Sequence, residues 1–176
     1  MAETLIDLVS YEKLNFAQKS TYYSKLARDG RVTNMQRTLL HSITSFDTFM
    51  RSYNLRDFLV PIFGRRAIWI FAHTISEGTD CLICSTFFRR LLIDAGISPD
   101  SYEPTEDEKH LQSLARAFLN NGHGVDKESW AALKDKYNDE ILTALISYGT
   151  MVIANNLFNN IVNPPLDEYL YDYTKP

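Results

Sequence analysis

Cysteine is nearly absent from this chain: its 176 residues contain two, Cys81 and Cys84, three positions apart. Two thiols cannot complete a tetrahedral zinc site, and none of the 4 histidines stands near them at zinc-finger spacing. The expectation is therefore no metal and no cofactor. Glycine (7) and proline (6) are also scarce, which excludes collagen-like and low-complexity chains. Nor is there an excess of positive charge: 18 basic residues face 22 acidic ones, for a net charge of -4. The basic residues are scattered, and the doublets Arg65-Arg66 and Arg89-Arg90 read as solvated helix edges, so no nucleic-acid partner is expected. Residues 1–8 lack the basic segment and apolar run of a secretory signal. No apolar run reads as the ~20 residues of a membrane span. These absences point to a cytoplasmic protein without a membrane partner.

What is present is the composition of an ordinary globular protein, 45% hydrophobic and 23% charged, in a length that suits one domain spanning 1–176. Strand signals are few and helical punctuation is frequent. Apolar residues recur at helical intervals over 34–40 and 45–59, with Pro61 and Gly64 breaking the pattern. Residues 65–76 are dense in apolar side chains and read as a helix buried on most sides. Gly78 ends it, Thr79 stands as N-cap of the next helix with Asp80 in its first turn, and that helix runs over 81–95 to Gly96. Thr105 and Glu108 form a capping-box pair, and Asp126 caps a short helix. A last helix covers 138–162, bends at Gly149 and stops at Pro164-Pro165. The fold class is all-α, a helical bundle whose central hairpin carries the cysteines.

At a helix start, two thiols separated by two residues can close a disulfide without unwinding the backbone, and the helix dipole favours a thiolate. Asp80 opposes that charge. Cys81, Cys84, Phe88, Leu92 and Ala95 share one face, which turns both thiols toward the core or a cleft. Two readings stand for the pair: a redox-active dithiol, or two ordinary core cysteines. No strand precedes Cys81, so a thioredoxin fold is excluded. His41 reads as a helix-end residue, and His110 and His123 as solvent-facing. Asn155, Asn156, Asn159 and Asn160 are unusual in a helix and read as bonds to neighbouring helices or subunits. Three tyrosines between positions 169 and 173 read as a tail that packs on a neighbouring surface.

The order of Phe71, His73, Glu77, Gly78, Cys81, Leu82, Ile83 and Cys84, continued by Asp94, Ala95, Gly96 and Ile97, resembles the core hairpin of the carboxymuconolactone decarboxylase superfamily. The likeness is to its alkylhydroperoxidase D-like (AhpD-like) branch in particular. It extends through 105–119 and 130–160 to Pro165, Leu166, Asp167 and Glu168, so that the family-like core spans about 34–168 and 1–33 forms an N-terminal extension. The resemblance implies an AhpD-like bundle assembled as a homo-oligomer, trimer or hexamer. It implies alkyl hydroperoxidase chemistry in which Cys84 attacks the peroxide and Cys81, the more accessible thiol, resolves the sulfenic acid to a disulfide. A protein disulfide reductant is the implied partner.

The chain departs from the family's proton relay. Phe88 stands where the family has histidine one turn after the second cysteine, Ile83 where some members have histidine, and Trp69 near the relay glutamate. General-base help of this kind is worth ~10²–10⁴-fold in rate, so a weak peroxidase is expected. His73 and Glu77, four apart on the preceding helix, are the candidate surrogate relay. The leading expectation is a thiol–disulfide oxidoreductase acting through Cys81 and Cys84. The alternatives are a catalytically retired helical scaffold or interaction protein and, lower, a lactone decarboxylase, whose histidines and anion-binding groups are not found.

Overall fold

The computed structural model describes residues 4–175, and no strand occurs among the described residues. Nine α-helices follow in order there: α1 (Phe16–Asp29), α2 (Asn34–Leu39), α3 (Ile43–Arg51), α4 (Tyr53–Phe63), α5 (Arg65–Gly78), α6 (Leu82–Asp94), α7 (Glu106–Leu119), α8 (Lys127–Lys136) and α9 (Asp139–Val162). A short 3-10 helix, Tyr11–Lys13, precedes them and another, Glu168–Tyr173, follows. The all-α expectation holds.

α5 is the central element because it is apolar on nearly every side. Ile68, Ile70, Phe71, Ala72 and Ile75 are fully buried, and α5 packs most extensively on α6 and α7, then on α9 and α4. Leu111, Leu114 and Ala115 of α7 and Leu142, Leu145 and Val152 of α9 complete the main core. Each large side chain so buried contributes roughly 1.5–3 kcal/mol. A second cluster, Met35, Leu39, Leu40 and Phe46, ties α2 and α3 to Phe158 of α9.

Several local expectations are corrected. The single helix expected over 45–59 is two, α3 and α4, turned at Ser52, whose hydroxyl donates to the Phe49 carbonyl at 2.6 Å and competes with the helical ladder. Pro61 breaks nothing: it lies inside α4, and the break is Gly64, with φ of 84°. Thr79 ends α5 instead of starting α6, and Asp80 lies outside the first turn, in a left-handed conformation. The N-terminal stretch contains a helix the pattern did not reveal, α1, capped by a reciprocal Asn15–Gln18 box. Its apolar periodicity is weak because Lys25 takes a buried position.

α9 also corrects the reading of apolar runs. It is long and apolar enough, by length and composition, to cross a membrane, and 33% of its most apolar window is buried inside the fold. Its packing on α4, α5, α6, α7 and α8 gives that apolarity a use within the bundle. It runs unbroken through Gly149, where a Cβ would meet the Phe118 ring at 2.5 Å. At Gly78 a Cβ would meet the end of the Leu119 side chain, its two methyls and Cγ all within 3.0 Å.

These two glycines make a contrasting pair. Gly149→Ala forces a ring wedged against Phe71, an overpacking cost of about 1–3 kcal/mol. Better helix propensity offsets about 1 kcal/mol of it. Chemical denaturation should therefore show a net loss for Gly149→Ala and little change for Gly78→Ala, since the partly exposed Leu119 can swing away.

Candidate functional site: a thiol pair on a cavity wall

The turn from α5 to α6 is as tight as two helices allow. The amide of Asp80 donates to the Glu77 carbonyl (3.1 Å) and that of Cys81 to the Ser76 carbonyl (3.2 Å). With Asp80 at φ 51°, this is a Schellman closure of α5. Cys81 is at the same time the N-cap of α6, its carbonyl accepting from Ser85 at 2.9 Å. One residue therefore ends one helix and begins the next, and Cys84 falls on the first turn.

Three asparagines of α9 pin this turn. Asn156, fully buried, donates to Thr79 Oγ1 (2.8 Å) and Ser76 Oγ (3.3 Å), and Asn160 donates to the Thr79 carbonyl (2.8 Å). Asn159 donates its Nδ2 to Cys84 Sγ at 3.2 Å, while its Oδ1 is buried with no partner. Sequence reasoning gave these residues no part at the thiols. The signal was the run of asparagines at 155, 156, 159 and 160, a costly choice inside a helix unless each carboxamide has a task.

Both cysteines are free thiols. Cys81 is buried (1% exposed), and Cys84 is densely surrounded but opens on one side. The implied accessibility is thus reversed: the first thiol is sealed and the second faces a cavity of about 590 Å³. Coupling between the two thiols splits their acidities. It holds the Cys81 thiol below its ordinary value, helped by the Ile83 and Cys84 amides at the start of α6. These amides act by their field, for the sulfur makes no regular cap bond. Donation to Cys81, then burial and the neighbouring charge, push Cys84 well up. The two sulfurs thus titrate as a coupled pair. Asp80 is exposed and exerts no resolved pull on either sulfur.

Trp69, Ile83 and Phe88, the positions to which the resemblance assigns a proton relay, line the same cavity as Cys84. Their positions gather at the sulfur, but their side chains carry no exchangeable proton there except the Trp69 indole. Two phenols complete the wall. Burial, followed by the Cys84 charge, pushes Tyr53 up to about 12, and burial raises Tyr148 as well, so both stay protonated.

His73 and Glu77 form a separate pair, Nδ1 to Oε2 at 3.6 Å, and Glu77 also binds Lys175 at 2.9 Å. Burial drives the His73 imidazole toward its neutral form, and its charged neighbours are Glu77, Arg89, Lys175 and Asp100. Neither residue hydrogen-bonds a cysteine among the described contacts. Of the other histidines, His41 bonds the Asp7 carbonyl (2.9 Å), His110 bonds Ser129 (3.1 Å) and is half-buried, not solvent-facing, and His123 is exposed. No cluster of three or more His, Cys, Asp or Glu side chains among the described residues could hold a metal ion.

Thiolate absorbance against pH will show one proton lost below the usual cysteine range and a second well above it. Cys84→Ala removes the donor and raises the remaining transition. Asn159→Ala also raises it, since that carboxamide lowers Cys81. His73→Ala, outside the pair's hydrogen bonds, leaves the curve unchanged.

No protein-family model matches the chain, and no curated protein matches it in sequence. Solved structures do match it. The apo debrominase Bmp8 superposes with a TM-score of 0.76 at 15% identity, covering 97% of this chain and 96% of that one. A cysteine-to-alanine variant of the same debrominase in complex with 2,3,4-tribromopyrrole gives 0.77 at 15% identity over the same shares. An uncharacterized peroxidase-related protein from Silicibacter sp. TM1040 gives 0.76 at 13% identity, over 96% of this chain and 94% of that one. At such identities the likeness is one of architecture: the chain folds as an AhpD-like helical bundle, a form it shares almost end to end with a debrominase and a peroxidase-related protein.

Proposed function

We propose that the chain is a thiol–disulfide oxidoreductase in which Cys84 meets the substrate and Cys81 serves first as its base and then as its resolving thiol. The observation that carries this reading is a pair of free, mutually coupled thiols at the start of α6, one of them on a cavity wall. Transfer of a proton from Cys84 to Cys81 creates the attacking thiolate with no outside base. With an alkyl hydroperoxide, the Cys84 sulfur takes the terminal oxygen, the O–O bond breaks, and the alkoxide leaves as alcohol with the proton from Cys81. Cys81 thiolate then displaces hydroxide from the sulfenic acid, the hydroxide takes a proton from solvent and leaves as water, and the disulfide records the two electrons passed to the peroxide. A dithiol reductant returns them. Desolvation of Cys84 keeps the rate low, consistent with a weak peroxidase.

Mild treatment with tert-butyl hydroperoxide should remove two hydrogens from the wild-type mass and join Cys81 to Cys84, reversibly with dithiothreitol. Cys84→Ser should abolish peroxide-dependent turnover. In Cys81→Ala, sulfenic acid formation at Cys84 should slow by at least ~10²-fold in a single turnover, the usual worth of a general base. Failure to form the bridge would leave the retired helical scaffold as the better reading.

The aromatic wall formed by Tyr53, Trp69, Phe88 and Tyr148 favours a second reading of the same sulfurs. A flat bromoarene could take the peroxide's place, its C–Br bond reduced to C–H with bromide released and the same disulfide formed. Bromide release from 2,3,4-tribromopyrrole distinguishes the two.

The proposed partner is a second copy of this chain. Ile146 (40% exposed), Leu157 (50%) and Ile161 (64%) lie along one side of α9, and Leu82 (58%) is exposed at the start of α6. Residues 141–162 carry no charge, so the face can meet itself across a symmetry axis without like-charge repulsion. Light scattering should give more than one subunit for wild type and a smaller assembly for Ile161→Glu. A monomeric wild type would rule this out.

A further inference from the structure

Above the thiol, the cavity mouth carries an unusual charge. Five of the lining side chains are basic and three acidic, on a chain whose net charge is -4. Lys25 and Arg28 pair with Asp29, and Arg56 with Asp57. Arg31 makes no ion pair among the described residues. Arg90 reaches only Asp94, at 3.3 Å, and its Nε is buried without a partner. The third acid, Asp167, accepts from the amide of Asn34 at 2.9 Å and interacts with Arg31 electrostatically without a direct ion pair.

Arg31 and Arg90 are gathered on one ring. Their guanidinium carbons lie 4.1 and 5.2 Å from the centre of Tyr169, which the 3-10 helix Glu168–Tyr173 folds against α6. The two cations are therefore within about 10 Å of each other, a screening length at 0.1 M salt. Cation–π contacts favour each of them singly, but their proximity is a cost that an anion between them would remove. From this point α6 offers an apolar path inward. Arg90 also lies over the Phe87 ring (5.8 Å), and Phe87 packs edge-on against Phe88 (5.3 Å), one turn beyond Cys84. Six residues separate Cys84 from Arg90, about 9 Å of helical rise.

We propose that the cavity binds an amphiphilic organic carboxylate, its anionic end between Arg31 and Arg90 and its apolar body along Phe87 and Phe88 toward Cys84. The volume, about 590 Å³, is in the range of small-molecule sites. This rests on the reading of Cys84 as the reacting sulfur and adds to it the class of molecule that sulfur meets.

Calorimetric titration of the reduced protein with 4-phenylbutyrate, 4-phenyl-1-butanol and inorganic phosphate tests it. The acid should bind at least ten-fold more tightly than the alcohol and than phosphate, and should slow alkylation of Cys84 by iodoacetamide. Arg31→Gln, at an exposed position, should cut the preference for the acid several-fold while alcohol binding persists as proof of an intact fold. Arg90→Gln should do the same. Equal affinity for acid and alcohol, phosphate binding as tightly as the acid, or alkylation unaffected by bound acid would each overturn the proposal. The protein is reduced and no oxidant is present, so failed peroxide turnover leaves this outcome intact, and a negative titration leaves the disulfide chemistry standing.

Discussion

The three residues Thr79, Asp80 and Cys81 must stop one helix, reverse the chain and start another, and the site depends on how they do it. A Schellman closure needs a left-handed residue, which Asp80 supplies at some conformational cost for a residue with a Cβ. What holds the turn against that cost is α9, through Asn156 and Asn160, which bond the side chain and carbonyl of Thr79. The position of Cys81 at the mouth of α6 follows, and with it the lowered pKa of one sulfur and the raised pKa of its neighbour.

That arrangement changes the logic of a cysteine pair without a relay. A buried thiol in an apolar wall is a poor nucleophile because its charge is desolvated. Here the sealed sulfur, which helix amides face, has the lowered pKa, and the sulfur on the cavity has the raised one. The proposed chemistry then depends on moving one proton between two sulfurs instead of along a chain of imidazoles. The residues at 69, 83 and 88 form part of the cavity wall that Cys84 shares.

The sequence made the helices legible wherever capping chemistry was explicit. Thr105 with Glu108, Asp126, and Gly96 behave as their residue types demand, because each acts through bonds to its nearest neighbours along the chain. Legibility failed where the deciding contact is remote. Thr79 looks like an N-cap by composition and is instead claimed by Asn156, 77 positions away. Gly149 looks like a bend, and serves as the space for Phe118. The thiols were found from their spacing, yet their burial was reversed, since exposure is set by how α9 and the C-terminal segment cover α6 and no local pattern encodes that. Asn159 was visible only as an oddity of composition.

The buried lysine of α1 has a consequence for the segment before the family-like core. Lys25 is 4% exposed, its charge held by Asp29 and by the face of Tyr53, and burial lowers its pKa. Tyr53 in turn stands beside Cys84 on the cavity wall. The first helix is thus fastened to a ring in the wall that Cys84 shares. A chain that began at residue 34 would lack Lys25, Arg28, Asp29 and Arg31, and with them one charged side of the chamber.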